Sequence, residues 1–172
     1  CGEQPLLPYE SCNLGSINLG KFLLEVDGTL TIDYERLGEV ARVATRFLDN
    51  VIDANSHSVE KIKQMTNSTR KIGIGVMGFA DMLARMRVPY DSQEGLELGR
   101  NVMRFIRDET DKMSMELAQV RGAFPAFKGS VYDEPGQPGM RNACRLTVAP
   151  TGTISMIAGC SSGIEPLFAL CY

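Results

Sequence analysis

The chain's most reactive side chains stand together at its start. Cys1, Glu3 and Cys12 fall within Cys1-Gly2-Glu3-Gln4-Pro5-Leu6-Leu7-Pro8-Tyr9-Glu10-Ser11-Cys12-Asn13-Leu14-Gly15-Ser16. Two thiols eleven residues apart, with a carboxylate two residues after the first, could bring a sulfur reactant, a proton acceptor and a reductant to one substrate. Free cysteine is more often core than reactant, so context decides. Cys1 and Cys12 stand in polar loop surroundings. Cys144, Cys160 and Cys171 stand among apolar or small residues and read as inert.

A second candidate is Pro150-Thr151-Gly152-Thr153-Ile154-Ser155, between a short strand and a helix. A helix start exposes free backbone N–H groups, Gly152 allows close approach, and three hydroxyls add donors. It lacks the Lys of a Walker loop, so ordinary capping and anion binding stay open at this point. Gly73-Ile74-Gly75-Val76-Met77-Gly78 formally matches G-x-G-x-x-G. A dinucleotide fold needs a full strand before that motif and an acidic strand end about 20 residues on. Neither is legible, so it reads as a Gly-rich strand-to-helix junction that permits close packing.

Composition narrows the classes. The 172 residues are 44% hydrophobic and 23% charged with net charge -3, which suits one folded domain and gives nucleic acid no broad basic surface. Apolar runs are too short to span a membrane, no leader pattern is present, and the cytoplasm is the expected compartment. Five cysteines at irregular spacing do not read as a disulfide framework. No C-x-x-C is present and His57 is the single imidazole, so no zinc site is expected. His57 itself reads as a surface residue past a helix end.

The positioning elements follow from periodicity. Gly and Pro make residues 1–19 a loop with a short extended or helical piece, and Asp27-Gly28 marks a turn. Asp33 caps a helix over 34–54. A short helical turn is expected at 59–67, a buried strand at 70–76 and a helix at 77–86. A longer helix follows at 92–120, with Leu96, Val102, Met103, Ile106, Met113, Leu117 and Val120 inward. Residues 122–143 read as a long loop, 146–148 as a strand, then a short helix and a turn over 159–163. Helices separated by short strands give an α/β class.

The opening segment, Ile72-Gly73-Ile74-Gly75-Val76-Met77-Gly78-Phe79-Ala80-Asp81, Ala149-Pro150-Thr151-Gly152-Thr153-Ile154-Ser155 and Gly163-Ile164-Glu165-Pro166 together resemble the large catalytic chain of ribonucleotide reductase. Gly2 and the Tyr9–Cys12 context are most similar to the adenosylcobalamin-dependent (class II) branch, which carries Asn-Pro-Cys-Gly-Glu at this site. The resemblance runs the length of the chain but covers about a quarter of a family chain. It implies an internal fragment: roughly the second half of a ten-stranded α/β barrel with a radical-bearing finger loop, and no domain boundary within 1–172.

The same resemblance implies roles. Cys1 would carry the thiyl radical that abstracts the ribose 3′ hydrogen, Glu3 would deprotonate the 3′ hydroxyl, and Cys12 would be one of two reducing thiols. Gly2, Ser11, Pro150, Thr151, Gly152, Thr153, Ile154 and Ser155 would bind substrate, the 150–155 loop through the nucleotide phosphates. Adenosylcobalamin is the implied cofactor, with no binding motif of its own here. A ribonucleotide, a thioredoxin- or glutaredoxin-type reductant and a second copy in a homodimer are the implied partners, without nucleic acid or membrane. Two rivals remain: an N-terminal-nucleophile hydrolase using Cys1, which requires Cys1 to be a true amino terminus, and a non-catalytic nucleotide-binding module using the 150–155 loop.

Overall fold

Parallel strand pairing organises the chain in the structure, a computed structural model describing residues 3–167. Strand β1 (Asn13–Asn18) lies beside a later strand at Ile72–Met77, in parallel register from Asn13↔Ile72 to Asn18↔Met77. Between them, β2 (Leu23–Val26) and β3 (Thr29–Ile32) form a hairpin. Its turn places Asp27 at φ 51° and Gly28 at φ 76°, the left-handed pair that a two-residue hairpin requires.

Helix α1 (Tyr34–Ala54) starts where expected, with Asp33 Oδ1 accepting from the Arg36 N–H at 3.0 Å. Helix α2 (Glu60–Thr69) runs two residues past the expected turn and ends with Arg70 in the left-handed region at φ 48°. The strand therefore begins later than expected, at β4 (Ile72–Met77), and Met77 belongs to it rather than to α3 (Phe79–Met86). Helix α4 (Gln93–Arg121) is capped by Ser92 Oγ, which accepts from the Gly95 N–H at 3.0 Å. Residues 122–143 hold only a 3-10 turn at Pro125–Phe127, and α5 (Gly152–Ala158) closes the order.

One expectation about α4 is corrected. Leu96 and Val120 are 61% and 83% exposed, while the inner face runs through Val102, Ile106, Thr110, Ser114 and Leu117. Leu96 and Val120 stand in the first and last turns of α4, at its ends. Two inner residues are polar and so broke the apolar pattern. Thr110 satisfies itself on the Arg107 carbonyl (2.9 Å) and Ser114 on Asn142 Oδ1 (3.0 Å).

The two faces of β4 differ completely. Ile72, Ile74 and Val76 bury against Leu37, Ala41, Leu48, Ile52, Val102 and Ile106, so α1 and α4 cover this side. Gly73 and Gly75 alternate with them on the other side. A Cβ on Gly73 would collide with Leu14 Cδ2, and one on Gly75 would sit 2.8 Å from the Thr147 carbonyl oxygen. The G-x-G-x-x-G match therefore runs from within β4 to Gly78, the N-cap of α3, a strand-to-helix junction as expected, and its first two glycines let neighbouring segments press against β4.

The 146–148 strand reduces to a parallel bridge, Leu146 opposite Ile74. Ile72 N donates to Cys144 O (3.0 Å) and Ile74 N to Arg145 O (2.7 Å), so the ladder loses its regular two-residue step at Cys144. The Gln4 side chain closes the irregularity, its Nε2 donating to Leu146 O (3.1 Å) and Ile72 O (3.5 Å). At the strands' entry, the fully buried Asp49 carboxylate collects Arg70, Arg121, Arg141 and Asn142, joining α1, the α2–β4 junction, the end of α4 and the 141–142 segment.

Candidate active site

The loop before α5 is built to present backbone. Thr151 adopts φ 56°, and its buried Oγ1 accepts from the Gly163 N–H at 2.7 Å, tying the loop to the 159–163 turn. The first intrahelical bond runs from Ser155 N to Thr151 O (2.9 Å). The amides of Gly152, Thr153 and Ile154 thus precede the hydrogen-bond ladder and stay free to donate. These residues, with Ala149 and Pro150, Leu14, Gly15 and Ser16 of β1, and Glu3, line one cavity of about 320 Å³.

Glu3 reaches this cavity because its backbone is held from below: Thr147 Oγ1 donates to Glu3 O at 2.6 Å. Its Oε2 is buried and has no hydrogen-bond partner. An acceptor left unpaired beside a cavity costs free energy unless a ligand donates to it.

Cys12 immediately precedes β1 and is half-buried. Burial pushes its thiol pKa up; the Cys144 thiol and the Glu10 and Glu3 carboxylates add to the rise, and the Lys71 ammonium opposes it. The group is held as a protonated thiol. Cys144, read from sequence as inert core, is instead half-buried near Cys12, its Sγ 3.5 Å from Leu146 O. Cys160 is half-buried as well, because the Gly159–Gly163 turn leaves it at the surface of the 155–167 region.

Two predicted hydroxyls lie elsewhere. Ser11 Oγ is bonded to Thr66 Oγ1 of α2 at 2.7 Å, and Ser155 Oγ to Ser162 Oγ at 2.8 Å; neither lines the cavity. Ser11 ties its loop to α2 through side chains, and Ser155 also donates to the Gly152 carbonyl in the first turn of α5. Cys1, Gly2 and Cys171 lie outside the described residues.

Sequence reasoning missed a latch behind the site. The Glu10 side chain is wholly buried, Oε2 accepting from the Leu7 N–H (2.7 Å) and Lys71 Nζ (2.8 Å), and Oε1 from Thr69 Oγ1. Burial alone would raise the Glu10 pKa, but hydrogen bonds from Lys71, Thr69 and Leu7 outweigh it and hold the carboxyl below its usual range. A lone Glu in a loop and a Lys before an apolar strand carry no sequence signal of pairing. Among the described residues no group of three or more His, Cys, Asp or Glu could hold a metal ion, and no helix is long and apolar enough to cross a membrane.

Comparison with known proteins shows the family. The family model described as ribonucleotide reductase, barrel domain, matches residues 1–138 and 133–172. The vitamin B12-dependent ribonucleoside-diphosphate reductase of Thermoplasma acidophilum is 62% identical over the whole chain, which covers 22% of that protein. The protein of the same name from Mycobacterium tuberculosis is 52% identical over the whole chain and 24% of its own length. A ribonucleoside-diphosphate reductase subunit alpha of Chlamydia muridarum is 34% identical over 91% of the chain and 18% of its own length. The chain thus spans under a quarter of these relatives. By this match the chain belongs to the ribonucleotide reductase barrel-domain family.

Proposed function

We propose that this chain is the substrate-reducing part of a ribonucleotide reductase, converting ribonucleoside diphosphates to deoxyribonucleotides by thiyl-radical chemistry. The observation that carries the reading is the cavity joining an unpartnered Glu3 oxygen to the free amides at the start of α5. A nucleotide whose phosphates take the Gly152, Thr153 and Ile154 amides would present its ribose to Glu3. Glu3 then accepts the proton of the 3′ hydroxyl, a general-base task that needs contact and an ionised carboxylate.

Cys1 is the radical carrier in this reading, abstracting the 3′ hydrogen. Cys12, held protonated, and a second cysteine elsewhere in the whole protein supply two electrons and two hydrogens. The 2′ hydroxyl leaves as water, the sugar gains hydrogen, and the two sulfurs end as a disulfide. A thioredoxin- or glutaredoxin-type dithiol would reopen it. In the whole protein these residues belong to a ten-stranded α/β barrel whose finger loop carries Cys1, in a cytoplasmic homodimer. The family match over the entire chain favours this over the hydrolase and the non-catalytic binding module.

The two relatives named vitamin B12-dependent point to adenosylcobalamin as the cofactor, which when bound would supply the radical. The described residues do not form a holder for it: the single imidazole, His57, sits in the α1–α2 connection beside Asn55 Nδ2 (3.4 Å). The residues here position and protonate. In the full-length enzyme, Cys1→Ser should abolish 3′-hydrogen exchange, and retained exchange refutes its role. Cys12→Ser should keep that exchange but lose multiple turnover.

A further inference from the structure

We propose that Ser16 is a further substrate-binding residue, its hydroxyl taking the ribose 2′ hydroxyl and so favouring the ribonucleotide over its 2′-deoxy product. The proposal rests on the reading above, in which the nucleotide turns its 3′ hydroxyl to Glu3. Register puts Ser16 there. Leu14 and Ser16 alternate along β1 with Gly15 and Ile17. Ile17 buries in the core, and a Cβ on Gly15 would meet Leu48 of α1, so Ser16 takes the opposite face and lines the cavity with Glu3. Across the strands Ser16 is level with Gly75, and Gly75 with Thr147, because Leu146 bridges Ile74. Thr147 Oγ1 in turn holds Glu3 O at 2.6 Å. Ser16, Gly75, Thr147 and Glu3 thus share one row, while the free amides come later in the chain, at the start of α5.

Gly75 keeps that row open. A Cβ there would stand 3.6 Å from Ser16 Oγ and 2.8 Å from Thr147 O; without one, the Ser16 hydroxyl faces free space. The neighbouring hydroxyls are committed, Thr147 to Glu3 O, Thr151 to the Gly163 N–H and Ser155 to Ser162, and no described residue takes that of Ser16. A ribose carries two vicinal hydroxyls. With the 3′ hydroxyl on Glu3, the 2′ hydroxyl needs its own partner at the same level, and a serine hydroxyl can both donate to it and accept from it. The contact exists with substrate and is lost once the 2′ oxygen has left as water. A site built to bond a substrate hydroxyl discriminates against the analogue that lacks it.

The test compares the full-length enzyme with its S16A variant, cofactor and reductant withheld so that nothing turns over. A ribonucleoside diphosphate and its 2′-deoxy and 3′-deoxy analogues each compete against the same labelled ribonucleoside diphosphate. S16A should weaken the ribonucleotide and the 3′-deoxy analogue by about 2- to 10-fold, the worth of one neutral hydrogen bond, and leave the 2′-deoxy analogue where it was. Comparing analogues within one variant cancels any general loosening of the site. Equal weakening of all three, as a phosphate contact or a structural role would give, overturns the proposal. So does no weakening, or an effect that vanishes with the 3′-deoxy analogue instead. An S16A enzyme that fails to fold would show the hydroxyl engaged internally, which overturns it too. Retained 3′-hydrogen exchange in E3Q would sink the underlying reading of Glu3 and this proposal with it, whereas a failure confined to S16A leaves that reading standing.

Discussion

Asp49→Ala removes the one carboxylate on which four segments converge. In the native chain Oδ1 accepts from Arg70 Nε (3.0 Å), Arg70 Nη2 (2.8 Å) and Asn142 Nδ2 (3.0 Å), and Oδ2 from Arg121 Nη1 (3.0 Å) and Arg141 Nε (3.4 Å). Alanine leaves the buried Arg70 guanidinium to Asp53 and the Asp49 carbonyl, while Asn142 Nδ2 keeps the Arg70 carbonyl. Breaking a buried pair from one side costs about 3–5 kcal/mol. The lower end applies, because Asp53 still neutralises Arg70 and the half-exposed Arg121 can turn to water. About 3 kcal/mol corresponds to exchange on the order of a hundredfold faster for amides that open with this region. Native-state hydrogen exchange of the full-length protein reads it at Ile72 and Ile74, whose N–H groups bond Cys144 O and Arg145 O. Asp49→Asn keeps an acceptor toward Arg70 but sets an amide against Arg121 and Arg141, so it should fall between. Protection unchanged within about threefold in Asp49→Ala, or Asp49→Asn as well protected as the native chain, would refute the reasoning that charge at this point locks the strands' entry.

Other outcomes follow from the same geometry. Gly75→Ala should destabilise more than Gly73→Ala, by about 1–3 kcal/mol against less, although the Gly73 clash is closer. The Gly75 obstacle is the Thr147 backbone, whereas the nearest Gly73 obstacle is the rotatable end of Leu14; thermal inactivation rates of the two full-length variants give the order. Thr151→Val leaves the Gly163 N–H without its acceptor, costing about 1–3 kcal/mol and loosening the loop before α5. Nucleotide KM should rise more than kcat falls. Glu10 has a folded pKa below its ordinary 4.5, so its contribution is fully present above 4.5 and is lost as pH falls through the lowered value. Hydrogen exchange of the 5–11 segment should therefore rise only in acid, and E10Q should remove that dependence.

Residues that state their role alone were legible. The Asp33 and Ser92 caps, the Asp27-Gly28 turn and the apolar spacing of α1 encode their structure locally, within a few positions. The Pro150–Ile154 loop and Glu3 could be singled out by type and spacing, and they do share a cavity. What stayed hidden depends on contacts between distant positions. Thr110 and Ser114 look solvent-facing until Arg107 and Asn142 are seen to satisfy them. Ser11 and Ser155 look like donors to a ligand until Thr66 and Ser162 are seen to claim them. Glu10 and Lys71 are 61 residues apart, and no local pattern links them.

The parallel pairing of β1 with β4 also bears on how the chain is made. The partner of Asn13 is Ile72, so β1 leaves the ribosome about sixty residues before its neighbour exists. At roughly 5–20 residues per second, that is an interval of about 3–12 s with an open strand edge. The composition Asn13-Leu14-Gly15-Ser16-Ile17-Asn18 suits such a wait. Asn, Gly and Ser at four of six positions make it a poor template for self-association, and its one well-buried apolar side chain, Ile17, finds its core only when β4 arrives.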